Sequence, residues 1–355
     1  MTCGGDCAGL NVAIRAVVQS AILKHNWEVI GIKNGTMGLL GDAPSTVPLD
    51  LNFQGFSHAM LRMGGTILGS TTKGNPMAYS MNDGSHIDRS EEIFKNYRQL
   101  NLDALIAIGG DGGLKITNEL AEKGGINFVG IPKTIDNDVP KTESIGFATA
   151  VSVATSALDN LQPTAASHDR VMILEVMGRD AGHIALHAGV AGGADVILLP
   201  EIPFEFEKIV EKIKKIQKSG RNYALLVTAE SSAPAGGTPK TIKYYNGDER
   251  YGGTGDYIGQ ELNRLMGTDT RVTVLGHVQR GGAPIYRDRI IASAFGVKAV
   301  DLIAQEKFGR MVAWSSHDEV TDVDINQALA GHHIVNKQGS ILKTAKGLGI
   351  SFGDE

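Results

Sequence analysis

The chain has 355 residues, of which 42% are apolar, 21% charged and 6% aromatic, enough for a large buried core in about two domains and too apolar for a disordered chain. Its 34 Lys and Arg against 39 Asp and Glu leave a net charge of -5, without the basic excess that holds a polyanion, so no nucleic-acid partner is expected. There is no apolar run near the roughly 20 residues of a membrane span and no secretory leader pattern, and the cysteines, Cys3 and Cys7, are too few for a disulfide framework or a zinc site, so a cytoplasmic protein without membrane contact is expected.

Glycine is the compositional outlier, with 45 residues clustered beside short apolar runs. The first cluster, Gly4-Gly5-Asp6-Cys7-Ala8-Gly9, precedes a helical pattern over 10–24. Backbone N–H groups there can converge on an anion, or the cluster is a plain tight turn; it is not a Walker A loop, because Leu10 and Asn11 stand where Lys and Ser or Thr are needed. A buried strand is expected over 27–32 and a helix over 89–100. The strand over 104–108 runs into Gly109-Gly110-Asp111-Gly112-Gly113, which offers backbone to a polyphosphate and a carboxylate to its magnesium ion, or a capping Asp at a strained turn. The strand over 128–131 leads to Lys133-Thr134-Ile135-Asp136-Asn137-Asp138. If that segment is extended, Thr134, Asp136 and Asp138 project to one side, so one carboxylate could hold metal while the other takes a proton from an alcohol; an Asx-turn is the alternative.

Further strands are expected over 171–176, 196–199 and 224–229, and helices over 148–161, 204–218 and 289–306. Two motifs, one around Met177-Gly178-Arg179 and one from Arg271 through His277 to Arg280, set guanidinium groups among glycines at strand ends, which suits a bidentate grip on a phosphorylated substrate. His183 and His187 are spaced like a zinc pair, but Ile184 stands where the metalloprotease motif needs Glu. Residues 231–255 read as a functional loop or, the preferred reading, a mobile insertion, and 338–355 as a weakly packed tail. Strand, glycine turn and helix in repetition predict an α/β fold with helices on both faces of parallel sheets and ligands outside the carboxyl ends of the strands.

In this order and at these separations, GGDCAGLN, GGDG, PKTIDND, EVMGRDAGH and LGHVQRGG resemble the 6-phosphofructokinase family, as far as about Gly309. The resemblance implies two Rossmann-like three-layer αβα domains with mainly parallel sheets: a nucleotide-binding domain of 1–147 plus about 279–329, and a sugar-phosphate-binding domain of 148–278 plus about 330–355. It implies a glycolytic kinase that moves the γ-phosphoryl of ATP to the 1-hydroxyl of fructose 6-phosphate, with Mg2+ as cofactor. On this sequence the resemblance makes Asp136 the general base with Thr134 beside it, Asp138 an organiser of the metal and Asp111 its facing carboxylate. Gly5, Gly109, Gly110 and Gly112 would line the nucleotide phosphates, and Arg179 would stabilise the transferring phosphoryl group. Met177, Gly178, Arg179, Glu230, His277 and Arg280 would hold the sugar phosphate, while Arg170 and Arg271 would reach that of a neighbouring subunit, which implies a homo-oligomer, in this family usually a tetramer.

The chain departs from the family in several places. Members begin with an apolar strand before Gly-Gly-Asp, where this chain has Met1, Thr2 and Cys3, so a central strand is expected to be missing. Gly112 favours ATP, because pyrophosphate-dependent members carry Asp there; Lys133, found in the pyrophosphate group and some ATP users, pulls toward pyrophosphate, the alternative donor. A non-catalytic sugar-phosphate-binding subunit is the further alternative. Thr71, Thr72 and Lys73 follow Gly69-Ser70 where many ATP users have an Arg, so that nucleotide contact is lost or is supplied by Lys73. Arg15, Arg221 and Glu201 match the bacterial effector site, but Gln19, Met63 and Gln162 replace its arginines, so weak or absent control by ADP or phosphoenolpyruvate is expected.

Overall fold

Short apolar runs build two mainly parallel sheets in a computed structural model that describes every residue except 54–56, 73, 82, 246 and 316–318. The chain divides into two units, Met1–Ala148 with Arg280–His332, and Thr149–Gln279 with His333–Glu355. Each has its own mainly parallel sheet with helices packed on it, the α/β architecture expected.

In the first unit the sheet runs in the order Thr2–Cys3, Leu105–Gly109, Phe128–Thr134, Arg310–Trp314, Val320–Asp324, with Ile145–Gly146 also on Phe128–Thr134. All described pairings are parallel except the last, where Val320–Asp324 returns antiparallel to Arg310–Trp314. The strand expected to be missing is present in shortened form: Thr2 and Cys3 pair with Ile108 and Gly109, and the Met1 ammonium donates to the Ile106 carbonyl at 2.9 Å. The strand expected over 27–32 is not in this sheet. Val29–Ile32 pairs antiparallel with Thr46–Leu49, and Pro48, which has no N–H to carry a sheet further, leaves a half-buried two-stranded ribbon. Ile93, Phe94 and Tyr97 of helix Ser90–Gln99 and Leu114, Leu120 and Ala121 of helix Asp111–Gly124 meet Leu105, Phe128 and Met311 in one core. Each such side chain contributes about 1.5–3 kcal/mol by leaving water.

The second unit has a parallel sheet in the order Val196–Leu198, Ala224–Ala229, Val171–Val176, Thr270–Val274. Helix Phe206–Lys218 buries Ile209, Ile213 and Ile216, four and three residues apart, against Val196, Leu198 and Leu226. Helix Phe147–His168, all but two residues in this unit, extends one residue before and seven beyond the periodicity over 148–161 and passes through Pro163. The tail is not weakly packed. Ser351 accepts from Ile197 N–H at 2.9 Å and donates its own N–H to Asp195 at 3.0 Å, which draws Ile350 and Phe352 into the core behind helix Ser340–Gly347. Part of the expected insertion is a hairpin, Thr241–Lys243 against Glu249–Tyr251. Among the described residues no helix is long and apolar enough to cross a membrane.

Candidate active site

The first glycine turn bends at Gly4 and Gly9, whose φ angles of +81° and +111° suit glycine, and delivers the chain into helix Leu10–His25. Gly4 donates its N–H to Thr71 at 3.0 Å and accepts from the Ser70 hydroxyl at 2.5 Å. Two cations hold the same turn: the buried Lys133 ammonium donates to the Gly5 carbonyl, and Arg280 Nη1 donates to the Asp6 carbonyl at 3.0 Å. A Cβ on Gly5 would sit 2.7 Å from Arg280 Nη1, so only glycine lets this guanidinium close on the backbone. Arg280 thus lies in the first unit, on the glycine turn. Lys73 lies outside the described residues.

The second turn joins strand Leu105–Gly109 to helix Asp111–Gly124, with Gly110 extended at the N-cap and Asp111 in the first turn. The first amides of a helix have no intrahelical partner and attract anions. Its glycines divide by task. A Cβ on Gly109 or Gly113 would come within 2.5 or 2.9 Å of the Cys3 sulfur, whereas one on Gly112 would meet nothing within 4 Å.

Strand Phe128–Thr134 carries the third motif, but the chain after it is not extended, because Asn137 takes φ +54°. Thr134 and Asp136 nonetheless meet: Asp136 N–H donates to Thr134 Oγ1 at 3.1 Å, and the hydroxyl reaches Asp136 Oδ2 at 3.4 Å, both residues being buried. Asp138 is directed elsewhere. Its carboxylate joins those of Asp111 and the imidazole of His332 in a group whose donor atoms lie within 4.8 Å of one another, with His332 Nδ1 3.9 Å from Asp111 Oδ2. His332 was not legible in the sequence, where it is one histidine of a His-His pair in a polar segment. Two carboxylates and an imidazole can hold a divalent cation, and one buried carboxylate with a hydroxyl beside it can take a proton.

In the second unit the parallel register sets Ala229 opposite Val176, so Glu230 and Met177 leave adjacent strands side by side. Glu230 Oε1 accepts from the N–H groups of Gly178 at 3.3 Å and Arg179 at 3.0 Å, and the Ser231 hydroxyl donates to the Arg179 carbonyl. Arg179 has φ +48° and its side chain is exposed. The next strand, Thr270–Val274, ends beside Glu175 and leads to the exposed His277 in the 3-10 turn Gly276–Arg280, at the same end of the sheet. Arg170 and Arg271 lie at the opposite, amino end, where both bind Asp269, Arg170 Nε at 2.6 Å. A strand of this length, at about 3.3 Å per residue, keeps them roughly 20 Å from Arg179 in the same chain.

Below Arg179, Glu175 is buried and accepts the Gly255 N–H at 2.6 Å; burial pushes its carboxyl above the usual range. His183 stacks on His333 and shares a 3.1 Å hydrogen bond with the His333 carbonyl, and burial pulls its imidazole down to about 4. Glu201 accepts from Gly182 N–H at 3.0 Å and Val335 N–H at 2.8 Å, while Arg221 pairs with Asp195. Glu201 and Arg221, two of the three residues matched to the effector site, are thus engaged by groups of their own unit.

Glycine turns at the carboxyl ends of parallel strands, with carboxylates and guanidinium groups beside them, define an α/β protein equipped to handle phosphorylated ligands. A model of the phosphofructokinases matches residues 1–303, and the chain is 53% identical to ATP-dependent 6-phosphofructokinase 1 of Synechocystis sp. over 100% of its own length and 98% of that relative's. The chain belongs to the phosphofructokinase family. Phosphofructokinase of Pichia pastoris in the T-state superposes with a TM-score of 0.78 at 27% identity over 93% of this chain, which spans about a third (35%) of that longer one. A pyrophosphate-dependent phosphofructokinase from Marinobacter aquaeolei, 22% identical with a TM-score of 0.79 over 99% of this chain and 90% of that one, shares the fold.

Proposed function

We propose that this chain transfers the γ-phosphoryl group of ATP to the 1-hydroxyl of fructose 6-phosphate, giving fructose 1,6-bisphosphate and ADP in cytoplasmic glycolysis. Identity of 53% over the full length to a relative named ATP-dependent 6-phosphofructokinase 1 carries the reading. Gly112 supports ATP over pyrophosphate, since the space above it is open where a side chain would crowd an α-phosphate. Lys133 is compatible with ATP because its ammonium is committed to the Gly5 carbonyl.

Asp136, buried and fixed by Thr134, takes the proton of the 1-hydroxyl as that oxygen attacks the γ-phosphorus. Gly5, Gly109, Gly110 and Gly112 receive the nucleotide phosphates on backbone N–H groups, which makes the first unit the nucleotide-binding one. Asp111 and Asp138, with His332 beside them, fit a divalent cation, Mg2+ in this reading, whose charge would offset that of the phosphates. Arg179 neutralises charge that develops on the phosphoryl oxygens, while Met177, Gly178, Glu230 and His277 hold the sugar phosphate. The second unit is then the sugar-phosphate-binding one. Arg170 and Arg271, about a strand's length from Arg179, serve the site of a neighbouring subunit in a homotetramer.

The test is a coupled assay for fructose 1,6-bisphosphate with fructose 6-phosphate and MgATP, run on the unaltered chain and on Asp136→Asn. Loss of a general base costs about 10²–10⁴-fold in kcat. Equal rates for the two proteins would contradict the reading.

A further inference from the structure

Arg179 sits in a left-handed backbone conformation, φ +48°, that a side chain adopts only when its surroundings hold it there. Its N–H is taken by Glu230 and its carbonyl by Ser231, but both partners leave the same strand end and constrain only the backbone of this residue. The turn has a further anchor one residue on. The next residue, Asp180, is exposed, and its Oδ1 accepts a 2.7 Å hydrogen bond from the hydroxyl of Tyr251, which stands 71 positions further along the chain.

Tyr251 closes the hairpin Thr241–Lys243 and Glu249–Tyr251, in which it pairs with Thr241. The base of this hairpin is fixed on both sides. Gly252 N–H donates to the Lys240 carbonyl at 3.2 Å, the Lys240 ammonium lies 4.1 Å from the centre of the Tyr257 ring, and that ring packs edge-on against Phe206. Past the hairpin, Thr254 donates its hydroxyl to the Glu230 carbonyl at 2.7 Å. The hairpin is therefore tied to the Arg179 turn through Tyr251 and, by way of Thr254, to the residue that holds the Arg179 N–H.

We propose that the paired strands Thr241–Lys243 and Glu249–Tyr251 form a strap that positions Arg179, and that Tyr251 and Asp180 are its positioning residues. This rests on the reading of Arg179 as the group that meets the transferring phosphoryl. Neither Tyr251 nor Asp180 touches substrate in this proposal; they fix the direction from which the guanidinium approaches. The carboxylate beside the phenol raises its ionisation above the ordinary value, so Tyr251 stays a donor at neutral pH. An arginine that acts on charge formed only during transfer affects kcat rather than the binding of the ground state. Loosening it by about 1 Å costs on the order of 10- to 100-fold in rate.

The test uses the full chain with fructose 6-phosphate and MgATP. Tyr251→Phe, which keeps the ring and removes the hydroxyl, is expected to lower kcat about tenfold and to leave KM for fructose 6-phosphate within about twofold. Asp180→Ala should do the same, the double variant should be no worse than either single one, and Asp180→Asn, which keeps Oδ1 as acceptor, should recover most of the rate. In an Arg179→Lys background Tyr251→Phe should add nothing. A Tyr251→Phe enzyme with unchanged kcat, or losses that multiply in the double variant, overturns the strap. No turnover by the unaltered chain overturns the reading of the activity itself, and the strap with it.

Discussion

Asp136 gives its N–H to Thr134 Oγ1 at 3.1 Å and keeps its Oδ2 3.4 Å from the same hydroxyl, so one threonine fixes both the backbone and the carboxylate of the proposed base. Thr134→Val keeps the shape of this buried residue and removes both contacts. We expect kcat to fall about tenfold, less than for Asp136→Asn, with KM for ATP unchanged, as steady-state kinetics would show. A Val variant as fast as the unaltered enzyme would mean that Thr134 does not orient Asp136.

Gly112 is the position at which donor choice can be altered without disturbing the fold. Its added side chain meets open space, and Asp in the first turn of a helix suits the helix dipole, so Gly112→Asp should leave the melting temperature within a few degrees. Turnover with ATP should drop more than tenfold through a raised KM. Unchanged use of ATP would show that the α-phosphate does not pass over this residue.

The motifs that carry the chemistry were legible because each is a run of neighbours: Gly109 to Gly113, Thr134 to Asp138 and Met177 to Arg179 bring their own geometry with them. What the sequence concealed depends on partners far apart along the chain. Thr2 and Cys3 do not read as a strand, yet they pair with Ile108 and Gly109. Val29–Ile32 has the composition of a buried strand, but which strand would pair with it is not written in those four residues. His332 and Tyr251 reach Asp111 and Asp180 across 221 and 71 positions, and no local pattern marks either. The tail looked weakly packed because its few apolar residues are scattered, and only the Ser351 bridge to Val196 shows why Phe352 is buried.

His183 couples stability to acid. Its imidazole is pulled from 6.5 down to about 4 by burial, so between those values the unfolded chain binds a proton that the folded chain refuses. Stability is fully present above pH 6.5 and is lost as the pH falls toward 4, by about 3 kcal/mol for a shift of this size at 1.36 kcal/mol per unit. Urea denaturation at pH 7 and pH 4.5 should show the loss, and His183→Gln should remove most of that difference. An equal loss in the variant would assign the acid sensitivity to other groups.

Arg170 and Arg271 allow a test of shared sites. Asp136→Asn and Arg271→Ala chains should each be nearly inactive as pure oligomers. Unfolded together and refolded as mixtures, they should regain activity, because a site that takes Asp136 from an Arg271→Ala chain and Arg271 from an Asp136→Asn chain is complete. Mixtures no more active than the parents would place both residues' work within one chain.

Following the phosphorus atom tests the identity of the phosphoryl donor and acceptor most directly. Fructose 6-phosphate, Mg2+ and ATP labelled with ³²P at the γ-position are incubated with the chain, and a parallel sample receives labelled pyrophosphate instead. Label is expected on the 1-phosphate of fructose 1,6-bisphosphate from ATP alone, at a rate at least about a hundredfold lower with Asp136→Asn. Label transferred from pyrophosphate and not from ATP would contradict the reading.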